Sequence, residues 1–169
     1  MKGILLSASL MLGFHGFLTA TTVRRLSLDD LVARAETIVA GKVIDSRVYW
    51  ASDRKLILTS YTVQVGESIK GNAPQTVTIT TVGGKIGNTI LHVSGMPEFQ
   101  PGENAIVFLE RAGSYTTVVG LNQGKFTLSN GEISNSVSGL SFPDVGAGKA
   151  VKMPVDEFKR QIRLRITNK

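Results

Sequence analysis

The sequence predicts a mainly β fold: a small closed or partly open barrel of about five to seven strands, with a short helix near the start and another at the end. A β-sandwich is the alternative. Three observations carry this. In Thr59–Gly71, TSYTVQVGESIKG, the residues Tyr61, Val63 and Val65 fall on one side of an extended chain, and Ser60, Thr62 and Gln64 on the other. That is the two-residue period of a strand with one buried face. Runs of β-type residues recur with turn signals roughly every 8–15 residues and with Gly at the bends. Helical patterning is confined to two short stretches, one on each side of the β runs.

In chain order, residues 1–20 read as a secretory leader. Lys2 supplies the positive start, Ile4–Leu18 is a mostly apolar run, and Leu18-Thr19-Ala20 ends on a small residue. The run is too short to span a bilayer, and no other stretch approaches ~20 apolar residues. Residues 21–169 are then expected to form a single β domain. Ser27 caps a helix over Leu28–Ala35, with Asp30 three residues on and Leu26 packing against Leu31 as a staple. Asp29 and Asp30 suit the positive end of the helix dipole, which explains them better than a metal or acid–base pair.

Thr37–Val48 reads as a strand broken by Gly41, a bulge or barrel bend. Tyr49–Arg54 is the connection to the next strand, Lys55–Ile69, with Ser52-Asp53 as turn residues. Gln75–Val82 alternates Val77 and Ile79 with Thr76, Thr78 and Thr80. Gly83–Asn88 is a Gly-rich turn into a short strand, Thr89–Val93, and Gly95–Pro101 marks a loop. Asn104–Glu110 holds Ala105–Leu109, apolar on both faces and so covered on both sides. Tyr115–Val119 follows, then Lys125–Leu128 and Glu132–Ile133 around Ser129-Asn130-Gly131, a hairpin signal. Residues 134–148 are a Ser/Gly-rich loop or linker. The C-terminal helix, 154–167, starts with Pro154 at its first position and carries the stripe Val155, Phe158, Ile162, Ile166.

The chain has 169 residues, a formal charge of +6 and no Cys. A domain of this size buries roughly 70% of its unfolded surface and needs no staple. An exported protein without disulfides suits a bacterial route, periplasmic or secreted. The basic excess gathers in Lys159, Arg160, Arg163, Arg165 and Lys169, which reads as the polar face of a lid helix. Nucleic acid is not an expected partner.

Histidine and cysteine decide most of the chemistry. Beyond the leader only His92 remains, so N/S metal sites and Cys nucleophiles are excluded. His92 itself reads as the polar face of a short strand. The thirteen Asp and Glu residues leave a glycosidase-type carboxylate pair open, with Glu67, Glu98, Glu103 and Glu110 best placed. The segment GGKIGN lacks the spacing and the following helix of a phosphate loop. Tyr49 and Trp50 would form a stacking platform if exposed and close one barrel end if buried; burial is the favoured reading.

The order LSLDDLVARAETIVAGKV, YTVQVGESIKG, VTITTVGGKIGN, GMPEFQPGENAIVFLE and VVGLNQGKF resembles a family of small exported bacterial proteins of uncharacterised role, some associated with matrixin-type metalloproteases. The likeness spans residues 27–128. The first two segments are remotely similar to the OB-fold barrel of the netrin and tissue-inhibitor-of-metalloprotease module. The resemblance implies an OB-like barrel and an extracellular binding role. The inhibitor module chelates protease zinc through an N-terminal Cys, a residue type this chain lacks.

The expected function is therefore an exported, non-enzymatic binding module for a protein partner or a cell-surface polymer, with no cofactor and no metal. The candidate binding loops carry Tyr49, Trp50, Asp53 and Arg54; Gly83, Gly84, Lys85 and Asn88; and Met96, Glu98 and Phe99. Alternatives are an inhibitor or chaperone for an exported protease, and a carboxylate-dependent glycan hydrolase.

Overall fold

The computed structural model describes residues 21–137, 139–143, 146–147 and 150–167. The expected leader, residues 1–20, lies outside them, as do parts of the 134–148 segment. The described chain is mainly β, with one helix near the start and one at the end. Its elements are β1 (Thr21–Thr22), α1 (Leu28–Arg34), β2 (Thr37–Trp50), β3 (Ile57–Lys70), β4 (Thr76–Val82), β5 (Gly84–Ile86) and β6 (Thr89–Leu91). There follow β7 (Asn104–Ala112), β8 (Tyr115–Val118), a 3-10 turn (Leu121–Gly124), β9 (Lys125–Ser129) and β10 (Glu132–Ser134). The last are β11 (Leu140–Phe142), β12 (Gly146–Ala147), β13 (Lys152–Pro154) and α2 (Val155–Thr167).

Helix α1 starts where a capping box permits. The Ser27 hydroxyl accepts from the Asp30 amide at 3.1 Å, and the Asp30 carboxylate accepts from the Ser27 amide at 3.0 Å. Its other end is held from below: Lys70, the last residue of β3, donates to the Val32 carbonyl at 2.7 Å and also to that of Ala35.

The main sheet runs β13-β10-β9-β7-β2-β3-β4, with β8 also on β7. Strands β2 and β3 form its long hairpin, with register shifts at Ala40/Gly41 and Val43/Asp45. Gly41 is required there, because a Cβ would stand 2.4 Å from the Gln64 carbonyl oxygen. In a flat sheet β4 and β8 would lie four strand spacings apart, about 19 Å. They approach within 8 Å, Cα to Cα, so the sheet is rolled.

The roll does not close into a barrel, for β4 and β8 share no ladder. The reason lies in β7, one of whose edges is divided between β9 (Asn104–Val107) and β8 (Leu109–Ala112). That leaves β8 only four residues long.

Two buried clusters share the wall made by β2 and β7. Ile38, Ile106 and Phe108 face the helices and meet Phe126, Phe158 and Ile162. Val39, Val107 and Leu109 face the inside of the roll and meet Tyr61, Val63 and Ile79. Ala105–Leu109 is buried throughout, as its apolar run predicts.

Several expected boundaries move. Tyr49 and Trp50 are not loop residues but the end of β2, because the β2–β3 ladder continues to the pair Trp50–Ile57. Gly83–Asn88 is not a simple turn; β5 pairs with β6 around Gly87-Asn88. The 134–148 segment contains β11, which pairs in parallel with β1. Pro154 ends β13, one residue before α2 begins.

Candidate binding cleft

Strand periodicity builds the largest cleft, of about 760 Å³. Tyr61, Val63 and Ile79 point into the roll, so their neighbours face the other way. Arg47 pairs with Ser60, and Ser60 with Thr80, giving one cross-strand row over β2, β3 and β4. Tyr49 lies two residues beyond Arg47 on the same face, and Thr78 and Thr76 extend the row along β4. All of these line the cleft. The β7–β8 hairpin forms the opposite lip with Arg111, Tyr115 and Thr116.

The charges in the cleft are unevenly committed. Glu110 takes both its hydrogen bonds from Arg34, at 3.0 and 3.1 Å. Glu36 accepts from the Arg111 backbone amide at 3.2 Å. Among the described residues, neither the Arg47 nor the Arg111 guanidinium forms an ion pair with a carboxylate. Tyr115 is 40% exposed and Tyr49 half-buried, so the Tyr115 ring is open to a ligand and the Tyr49 ring partly so.

A second recess, about 320 Å³, gathers Gly83, Gly84 and Lys85 with Met96, Glu98 and Phe99. Here β5 folds back onto the β2–β3 hairpin. The Thr59 hydroxyl donates to the Gly83 carbonyl at 2.6 Å, and a Cβ on Gly84 would stand 2.6 Å from Val48. Phe99 is 2% exposed, its ring 5.0 Å from that of Tyr61, so it is the floor of the recess and part of the core. Burial there raises the Tyr61 hydroxyl above its ordinary pKa. Ile90, 67% exposed, stands on the rim.

The expected site residues therefore divide. Tyr49 belongs to the large cleft, and Gly83, Gly84, Lys85, Met96, Glu98 and Phe99 belong to the second recess. Trp50, Asp53, Arg54 and Asn88 line neither. Trp50 is half-buried, Asp53 accepts from the Lys55 amide at 3.0 Å within the β2–β3 turn, and Asn88 sits at the β5–β6 turn. Sequence reasoning passed over Arg47, Arg111 and Tyr115. The Thr76–Thr78–Thr80 alternation was the available signal for the cleft floor.

The carboxylates singled out from the sequence are mostly engaged. Glu67 receives Lys159 and Arg163, which hold its carboxyl below the usual range, the Lys159 bond foremost. Glu103 receives Lys125 at 2.8 Å, the Thr127 hydroxyl at 2.6 Å and the Gln100 amide at 3.0 Å. Glu98 stands at the rim of the second recess with exposed His92. Among the described residues no three His, Cys, Asp or Glu side chains gather as a metal site, and no helix is long and apolar enough to cross a membrane. No family model, curated protein or solved structure matches the chain.

Proposed function

We propose that this chain is an exported binding module without catalytic activity, and that it holds a protein partner or cell-surface polymer in the cleft between β2–β4 and the β7–β8 hairpin. One observation carries the reading: the cleft's two carboxylates, Glu36 and Glu110, are occupied by hydrogen bonds, while Arg47 and Arg111 and the Tyr115 ring are left for a ligand. General acid–base work on a glycan needs a pair of carboxylates able to exchange protons with substrate. Here both oxygens of Glu110 accept from Arg34, and one oxygen of Glu36 accepts from the Arg111 amide.

Retention of purified envelope polymers and exported proteins on the immobilised domain tests this. Thr78→Arg, which fills the cleft floor, is expected to abolish retention, and Trp50→Ala to leave it intact. Equal retention by all three forms, or shortening of a retained glycan, would overturn the reading.

A second reading places a protein partner, such as an exported protease, on the rim of the smaller recess. It rests on exposed Ile90 beside Val48 and Met96. Ile90→Asp is expected to abolish that contact and to leave cleft binding unchanged.

A further inference from the structure

Resting on the cleft reading above, we infer that its occupant is an acidic polysaccharide built of uronic-acid rings. First, the floor is a row of hydroxyls. Ser60 and Thr80 lie side by side across β3 and β4, and Thr76, Thr78 and Thr80 run along β4 for about 14 Å. Such a row both donates and accepts hydrogen bonds at short intervals, which suits a polymer with a hydroxyl on most carbons.

Second, among the described residues the Arg47 and Arg111 guanidinium groups, at the two sides of that row, form no ion pair, and Glu110 is held by Arg34 instead. A guanidinium fork matches a planar carboxylate with two parallel hydrogen bonds. Third, Tyr49 and Tyr115 supply two ring faces within the cleft, the usual partner for the apolar face of a sugar ring. A linear polyol phosphate satisfies the arginines and leaves these rings without a partner. An acidic peptide satisfies the arginines but meets the hydroxyl row only through its backbone amides and carbonyls.

Calorimetric titration of the purified domain decides among these. The probes are an oligogalacturonate, its fully methyl-esterified form of equal length, an oligoglutamate and a polyol phosphate. Oligogalacturonate is expected to bind best, with affinity falling as salt rises. Arg47→Gln and Arg111→Gln are each expected to weaken it about tenfold, the loss of one charge-assisted contact. Lys42→Gln, which removes the same charge at an exposed position outside both recesses, is expected to leave it unchanged. Unaltered melting of the two Arg variants excludes misfolding as the cause.

If Lys42→Gln weakens binding as much, the attraction is diffuse charge and the inference fails. Equal binding of the methyl ester overturns the acidic class while leaving the binding-module reading in place. Tighter binding of oligoglutamate or polyol phosphate overturns the sugar. No binding of any probe overturns the inference alone; the module reading then stands or falls on the Thr78→Arg retention experiment.

Discussion

At position 41 the chain has no room for a single extra carbon. The bulge in β2 brings the backbone of β3 so close that a methyl group would meet the Gln64 carbonyl and the Val63 side chain together. Gly41→Ala is expected to destabilise the domain by about 1–3 kcal/mol, read by urea denaturation. Ser27 acts through a hydrogen bond instead. Ser27→Ala removes one half of the capping box and is expected to cost about 1 kcal/mol in the same assay. The bonds from Ser27, its amide first and then its hydroxyl, hold the Asp30 carboxyl below its ordinary pKa. A depressed carboxylate stabilises the fold above its unfolded value of about 4 and loses that contribution as pH falls through the folded one. The stability difference between the parent chain and Ser27→Ala is therefore expected to shrink on acidification.

Helix α2 shows how an element is held by two kinds of force. Phe158 and Ile162 enter the core, and the Phe158 ring lies 4.5 Å from Phe126 and 6.2 Å from Phe108. Phe158→Ala is expected to cost about 3–5 kcal/mol, read by chemical denaturation. On the rim Glu67 reaches from β3 to Lys159 at 2.6 Å and to Arg163. Arg165 adds a looser tie to Asp29 of α1 at 3.2 Å, close enough for attraction but not aligned as a hydrogen bond. Glu67→Gln is expected to speed amide exchange in α2 above the acid range. The gap from the parent chain is expected to narrow as pH falls through the lowered Glu67 value, since the parent then loses the same charge.

These elements also mark what local sequence can tell. The Ser27–Asp30 box, the doubly apolar Ala105–Leu109 and the Asn130-Gly131 hairpin each depend on neighbours a few residues away, and each could be read directly. Asn130 and Gly131 take the positive φ values of 51° and 77° that such a turn demands. Strands β11 and β13 have three residues apiece, too few for a period to show. The cleft was hidden for a different reason. Arg47, Thr80 and Arg111 are far apart in the chain and meet only because the sheet rolls.

On the scale of the molecule, the wall of β2 and β7 belongs to both buried clusters at once. Neither cluster can open without stripping one face of that wall. Unfolding is therefore expected as one transition, with Trp50 fluorescence and far-ultraviolet circular dichroism giving the same midpoint; separated midpoints would show that the helices melt apart from the roll.

The gap beside β4 has its own consequence. Among the described residues one flank of this strand has no ladder neighbour, and a bare flank is a template on which a second copy can knit itself. The β7–β8 hairpin stands in front of it as a fence. Replacing Glu110–Thr117 with a minimal turn would take the fence down, and light scattering from a concentrated sample should then report growing particles.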